Sequence, residues 1–124
     1  MSGNGGAMQG DVKMAHVSDA VLDQMVEKIV EEVDPDQIIL FGSRARGDAR
    51  AGSDVDLVVV ESEPFGRERS RRLEAARLYR TLSGFLVSKD ILVYSRDEVE
   101  YWRDSLNHVL ARALREGRVL YERR

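Results

Sequence analysis

Apolar residues recur along this chain at two different periods, and the changes between them mark the elements. Val21, Leu22, Met25, Ile29 and Val33 fall on one face of a helix. Ser18 stands where an N-cap is needed, and Asp19 complements the positive end of that helix. Asp34-Pro35-Asp36 stops it, because proline disfavours helical geometry in the residue before it. Residues 37–41 read as the first strand, and its run Ile38-Ile39-Leu40-Phe41 is apolar, as expected of a strand covered on both faces. Gly42 breaks the strand. Ser43-Arg44-Ala45-Arg46 opens a short helix ended by Gly47, and residues 48–53 form a polar connection. A second strand is predicted over 54–60, a loop over 61–66 and a helix over about 67–86, the last on a moderate stripe of Leu73, Ala76, Tyr79 and Leu82. The third strand spans 89–94. Ser95 is placed to cap the turn before a short helix over 97–103. Leu106, Val109, Leu110, Ala113 and Leu114 then predict an amphipathic helix, with Gly117 as its C-cap. Val119-Leu120-Tyr121 is expected either to add an edge strand or to pack as a tail. Residues 1–16, glycine-rich and polar, read as a flexible tail, leaving 17–124 as one domain. The order predicts an α/β (α+β) fold with a small mixed sheet flanked by helices.

Composition narrows the function classes. A chain of 124 residues suits one domain and can bury a core without disulfides or metals. Its net charge of -3 argues against a general nucleic-acid binder, although a local basic face stays open. The absence of cysteine excludes disulfides, thiolate catalysis and thiolate zinc sites, and fits a reducing compartment. No apolar run approaches transmembrane length, and the N-terminus lacks the apolar segment of a signal peptide. The expectation is a cytoplasmic protein with no membrane partner.

The candidate chemistry lies between the first two strands. Side chains alternate along a strand, so Asp54 and Asp56 share a face. Paired carboxylates at the start of an apolar strand repel each other unless a cation lies between them. Magnesium suits the place, being a hard cation held by one or two carboxylates together with phosphate oxygens. Asp90 opens the third strand and approaches the pair if the second and third strands are neighbours. Three clustered carboxylates can hold two metal ions. Gly42 lets a phosphate approach the backbone, the following amides point at the anion, and Ser43 adds a hydroxyl. Arg44 and Arg46 offer guanidinium donors, of which Arg44 is favoured to reach a triphosphate. Singly, each feature has a bland explanation: a strand start, a tight turn, a solvated helix face. Together, in strand-turn-helix-strand order, they point to a nucleotide and a metal.

These residues also resemble a family. Gly42-Ser43, ten residues, then Asp54-x-Asp56 is similar to the signature of the polymerase-β-like nucleotidyltransferase superfamily. The fuller string Gly42-Ser43-Arg44-Ala45-Arg46-Gly47 with Ser53-Asp54-Val55-Asp56-Leu57 resembles its minimal nucleotidyltransferase branch. The resemblance implies that Asp54, Asp56 and Asp90 are the catalytic, metal-binding residues. It further implies that Gly42, Ser43, Arg44 and Ser53 bind ATP or another NTP with Mg²⁺ or Mn²⁺. Larger relatives hold the acceptor in a second domain, so here the acceptor is expected on a partner protein. The family habit makes a small helical protein of the HEPN class the leading partner, in some cases a toxin that receives AMP. Two rivals share the fold: an antitoxin acting mainly by binding, and a nucleotide-binding subunit without turnover.

The remaining signals are weaker. Arg67, Arg69, Arg71, Arg72, Arg77 and Arg80 form a basic run, read as a helix face balanced by Glu61, Glu63, Glu68 and Glu74. Tyr101-Trp102 fits an interface or the core equally well. His108, off the apolar stripe, reads as a surface residue, and His16 falls in the tail. Two separated histidines make no zinc pattern. The apolar helix faces leave dimerisation open.

Overall fold

The computed structural model describes residues 18–46 and 54–123. Helix α1 spans Asp19–Val33. It starts where Ser18 Oγ accepts the Val21 N–H at 3.2 Å and ends where Asp34 turns into the left-handed region at φ 46°. Strand β1, Gln37–Phe41, follows at once, and α2, Ser43–Arg46, begins after Gly42. Beyond the connection lie β2, Val55–Glu61, and α3, Arg71–Thr81. β3 spans Lys89–Ser95, α4 Arg96–Trp102, α5 Val109–Glu116 and β4 Arg118–Glu122. The sheet order is β3-β2-β1-β4. β1 runs antiparallel to both β2 and β4, whereas β2 and β3 are parallel, so the sheet is mixed.

Alternation along the strands sends side chains into two cores. Ile38 and Leu40 of β1, Val55, Leu57 and Val59 of β2, and Ile91 and Val93 of β3 pack under Leu22, Met25 and Ile29 of α1 and Leu78 of α3. Ile39, Val58 and Val60 face the other way, against Val99 of α4 and Leu110 and Ala113 of α5. Both faces of β1 and β2 are therefore covered, which explains their unbroken apolar runs. Each fully buried aliphatic side chain of these clusters contributes roughly 1.5–3 kcal/mol. Gly117 lets the α5–β4 turn press onto β1: a Cβ there would stand 2.6 Å from Ile39 Cγ2.

Several expectations change. β2 runs one residue later than predicted at each end, because its pairing extends to Glu61, which is buried. α3 is shorter than 67–86 at both ends. Gly66 and Arg69 close a small bridge, Ser70 caps the helix by accepting the Leu73 N–H, and the helical hydrogen bonds end with the Leu82 N–H on Leu78 O. The last helix starts at Val109, not near Leu106, which is exposed outside it. His108 is not a bare surface residue. Its Nδ1 accepts the Leu110 N–H at 3.0 Å, and its ring stacks on Trp102 with centroids 4.2 Å apart. α4 also starts one residue early, on a full capping box between Ser95 and Glu98. The chain end resolves as the edge strand β4. In the basic run, Arg69 pairs with Glu61, Arg71 with Glu98, and Arg77 with Glu32 and Glu74, so partners on β2, α4 and α1 as well as on α3 itself absorb these charges. The predicted tail and the 48–53 connection lie outside the described residues.

Candidate active site

Register brings the acidic residues together. Across the antiparallel β1–β2 pair, Phe41 is opposite Asp56. Across the parallel β2–β3 pair, Asp56 is opposite Asp90. Val55 and Leu57 point into the α1–α3 core, so Asp56 between them lies on the other face. Asp90 alternates in the same way with Ile91 and shares that face. Asp54, exposed, immediately precedes β2. Gly42 closes the site from the end of β1. Its φ of +77° is open to glycine and strained for other residues. A Cβ there would overlap Asp56 Oδ2 and stand 3.3 Å from Asp56 Cγ. The Ala45 N–H donates to Gly42 O at 3.1 Å, which starts α2 right after this glycine.

Electrostatics mark Asp56 as uncomfortable. Burial pushes its carboxyl above the usual range, and the charges of Asp90 and then Asp54 push it further; Arg44 pulls the other way. Such a site gains from added positive charge. Its donors are all hard oxygens. Among the described residues no three His, Cys, Asp or Glu side chains alone are placed to hold a metal ion. One or two carboxylates completed by phosphate oxygens is, however, the coordination magnesium usually takes, so the donor set fits a nucleotide-bound cation.

Gly42, Arg44, Asp54, Asp56 and Asp90 thus converge where β1 ends and β2 and β3 begin. The backbone of Ser43 opens α2 at the same place, and Ser53 lies outside the described residues. One contact has no counterpart in the sequence reading, which counted Tyr79 as part of an apolar stripe. Its hydroxyl accepts the Ile91 N–H at 2.9 Å and donates to Asp90 Oδ1 at 3.4 Å. An aromatic with a polar tip on a helix preceding the acidic strand was the available signal. A cavity of about 200 Å³ also adjoins Gly42, lined by Phe41 and by Val109, Arg112, Ala113 and Glu116 of α5.

A four-stranded mixed sheet with a glycine turn facing carboxylates on adjacent strands is the frame of a nucleotidyltransferase, and residues 22–121 match the family model of the nucleotidyltransferase domain. The chain belongs to that family, which bears out the resemblance drawn from Gly42-Ser43 and Asp54-x-Asp56. A Methanocaldococcus jannaschii protein named "Putative protein adenylyltransferase" is 39% identical over 71 residues, covering 52% of this chain and 72% of that protein. In structure, the chain is similar to "a putative nucleotidyltransferase from Sulfolobus solfataricus", with a TM-score of 0.58 at 19% identity over 93% of this chain and 91% of that one. It is also similar to a chain of a crystal structure described as "the toxin-antitoxin with AMP-PNP", with a TM-score of 0.50 at 21% identity over 82% of this chain and 74% of that one. At those identities the two structures share the fold alone. Among the described residues no helix is long and apolar enough to cross a membrane.

Proposed function

We propose that this nucleotidyltransferase moves a nucleoside monophosphate, AMP from ATP, onto a hydroxyl presented by a partner protein. The observation that carries the reading is the pairing of Asp56 with Asp90 across parallel strands, with Gly42 pressed against Asp56. Asp54, Asp56 and Asp90, only together with phosphate oxygens of the nucleotide, would hold a divalent cation, Mg²⁺ or Mn²⁺, which when bound neutralises charge on the phosphates. The Gly42–Ser43 turn offers backbone amides to the triphosphate, and Arg44 and Ser53 extend the polar contacts. The acceptor oxygen bonds to the α-phosphorus, the α–β anhydride bond breaks, and pyrophosphate leaves. The hydroxyl proton passes to Asp90 or to solvent. These residues contribute positioning and preorganised charge rather than covalent chemistry.

The adenylyltransferase relative and the neighbour solved with AMP-PNP support ATP as donor, and the latter's toxin-antitoxin setting supports a protein acceptor, of which a HEPN-type toxin is our choice. The same setting favours one second reading, in which the chain neutralises its partner by binding alone. Intact-mass spectrometry separates them. With ATP, Mg²⁺ and the protein encoded beside it, the partner should gain the mass of AMP, and Asp56→Asn should abolish that gain. A complex that forms and neutralises equally well with Asp56→Asn, and with no added mass in either case, would establish binding as the function.

A further inference from the structure

The cavity is lined by Gly42, the glycine that packs against Asp56, yet nothing in the transfer chemistry uses it. Its floor is Phe41, whose strand position is directly opposite Asp56. Directly opposed residues of an antiparallel pair have Cβ atoms about 4.5–5.5 Å apart. An occupant of the cavity and a phosphate at the carboxylates are therefore within the span of one nucleotide. The walls suit a flat aromatic ring. Phe41 provides a ring, Val109 and Ala113 provide aliphatic surface, and the rim carries a donor and an acceptor, Arg112 and Glu116, whose charged groups lie 3.8 Å apart. A volume of about 200 Å³ accommodates one heterocycle and no folded element. All four α5 residues come from one helical face at spacings of three and four, so the helix presents them as a unit.

We infer that this cavity seats the nucleobase of the bound nucleotide, with the heterocycle between Phe41 and α5 and its polar edge toward Arg112 and Glu116. The inference rests on the nucleotide-binding reading of the carboxylate site and adds where the base goes. It also assigns base selection to α5 rather than to the motif that binds the phosphates. A protonated ring edge satisfies Glu116 and an unprotonated ring nitrogen satisfies Arg112, a pairing that adenine offers on adjacent atoms.

The test compares ATP with inorganic tripolyphosphate, each with Mg²⁺, by calorimetric titration of the full chain. Both carry the phosphates and only one carries a base. Stacking and edge contacts should make ATP bind roughly 10-fold tighter or more. Val109→Trp fills the cavity from its rim, where Val109 is 37% exposed. It should remove the ATP advantage and leave tripolyphosphate binding unchanged. Arg112→Ala, at an exposed position, provides a second variant with little risk to folding and should reduce the advantage by roughly 3-fold or more. Equal binding of ATP and tripolyphosphate by the native chain would overturn the inference while leaving the phosphate site intact. An ATP advantage that survives both variants would also overturn it. Failure of both ligands to bind would remove the nucleotide-binding reading itself, and the base site with it.

Discussion

Replacing Gly42 by alanine tests whether the glycine turn and Asp56 work as one device. At φ +77° an alanine is held in the left-handed region, which costs roughly 1–2 kcal/mol. Its Cβ would also overlap Asp56 Oδ2 and crowd Asp56 Cγ at 3.3 Å. Ordinary carbon contacts begin near 3.5 Å, so the carboxylate must swing away by about 1 Å. A displacement of that size at reacting groups costs on the order of 100-fold in rate. Gly42→Ala should therefore lower unfolding free energy by about 1–2 kcal/mol in urea while reducing AMP transfer, followed by mass spectrometry under single-turnover conditions, about 100-fold. Gly84→Ala is the control, because nothing lies within 4 Å of a Cβ there. It should leave both readouts within about twofold, stability rising if anything. If Gly42→Ala loses the expected stability yet transfers AMP within threefold of the native rate, the position of Asp56 does not matter to the chemistry. The proposed site would then be wrong.

Three other changes probe neighbouring parts of the molecule. Asp56→Asn removes a carboxyl held above its usual range by burial and by Asp90 and Asp54. It should stabilise the metal-free protein at pH 7 by about 0.5–1 kcal/mol in denaturant titration while abolishing transfer; a destabilised variant would show that Asp56 is not under repulsion. Tyr79→Phe deletes the hydroxyl that links Ile91 N–H to Asp90, so kcat should fall up to about 10-fold with the KM for ATP unchanged, and native kinetics would exclude a positioning role. Glu61 is pushed up to about 7 by burial and by its hydrogen bond to Glu74, against the opposing pull of Arg69. Because the folded state holds this proton more tightly than the unfolded chain, the stabilisation is full below about pH 4.5 and is lost as pH rises through about 7. Stability should fall as pH rises over this range in the native protein and much less in Glu61→Gln; identical slopes between pH 5 and 7 would show that the fold does not hold Glu61 protonated.

How far the sequence went depended on whether a feature is local. α1 and β1 were legible to the residue, because Ser18, the apolar spacing and Pro35 are all local signals. The Gly42 turn and Asp54-x-Asp56 were legible for the same reason. α3 was not bounded, because residues 67–70 are as compatible with helix as those that follow. What stops the helix is tertiary: Arg69 is drawn to buried Glu61, and Ser70 takes the cap. Leu106 extended the stripe of α5 by coincidence, since the side chain of His108, two residues later, caps the start of the helix. Asp90 was legible only as one acidic residue before a strand. Its place beside Asp56 comes from a parallel register between strands joined through α3, which no local pattern encodes. The α5 wall of the Gly42 cavity was invisible for a stronger reason, because it joins residues about seventy positions apart in sequence to the end of β1.

The two ends of the sheet explain why counting acidic residues does not find a site, while asking what each carboxylate touches does. At the far end, burial alone would raise the Asp36 carboxyl, but hydrogen bonds from Ser62, Arg123 and Arg96 outweigh it and hold the group below its usual range. Arg123 further reaches Asp34 at 3.1 Å, tying the strand β4 terminus to the end of α1. Those charges are satisfied by the fold and need no ligand. At the Gly42 end the balance reverses. Asp56 is half-buried by the same sheet, yet its strand neighbour is another carboxylate, and the opposing pull of Arg44 is the smaller influence. A fold that compensates Asp36 with three donors has the means to compensate Asp56 by a cation on β3. Instead it places Asp90 there, and spends a left-handed glycine to keep the space above Asp56 clear. Repulsion retained where pairing was available is the mark of a site completed from outside, and the exterior partner that fits hard oxygens beside a glycine turn is a cation carried with phosphate.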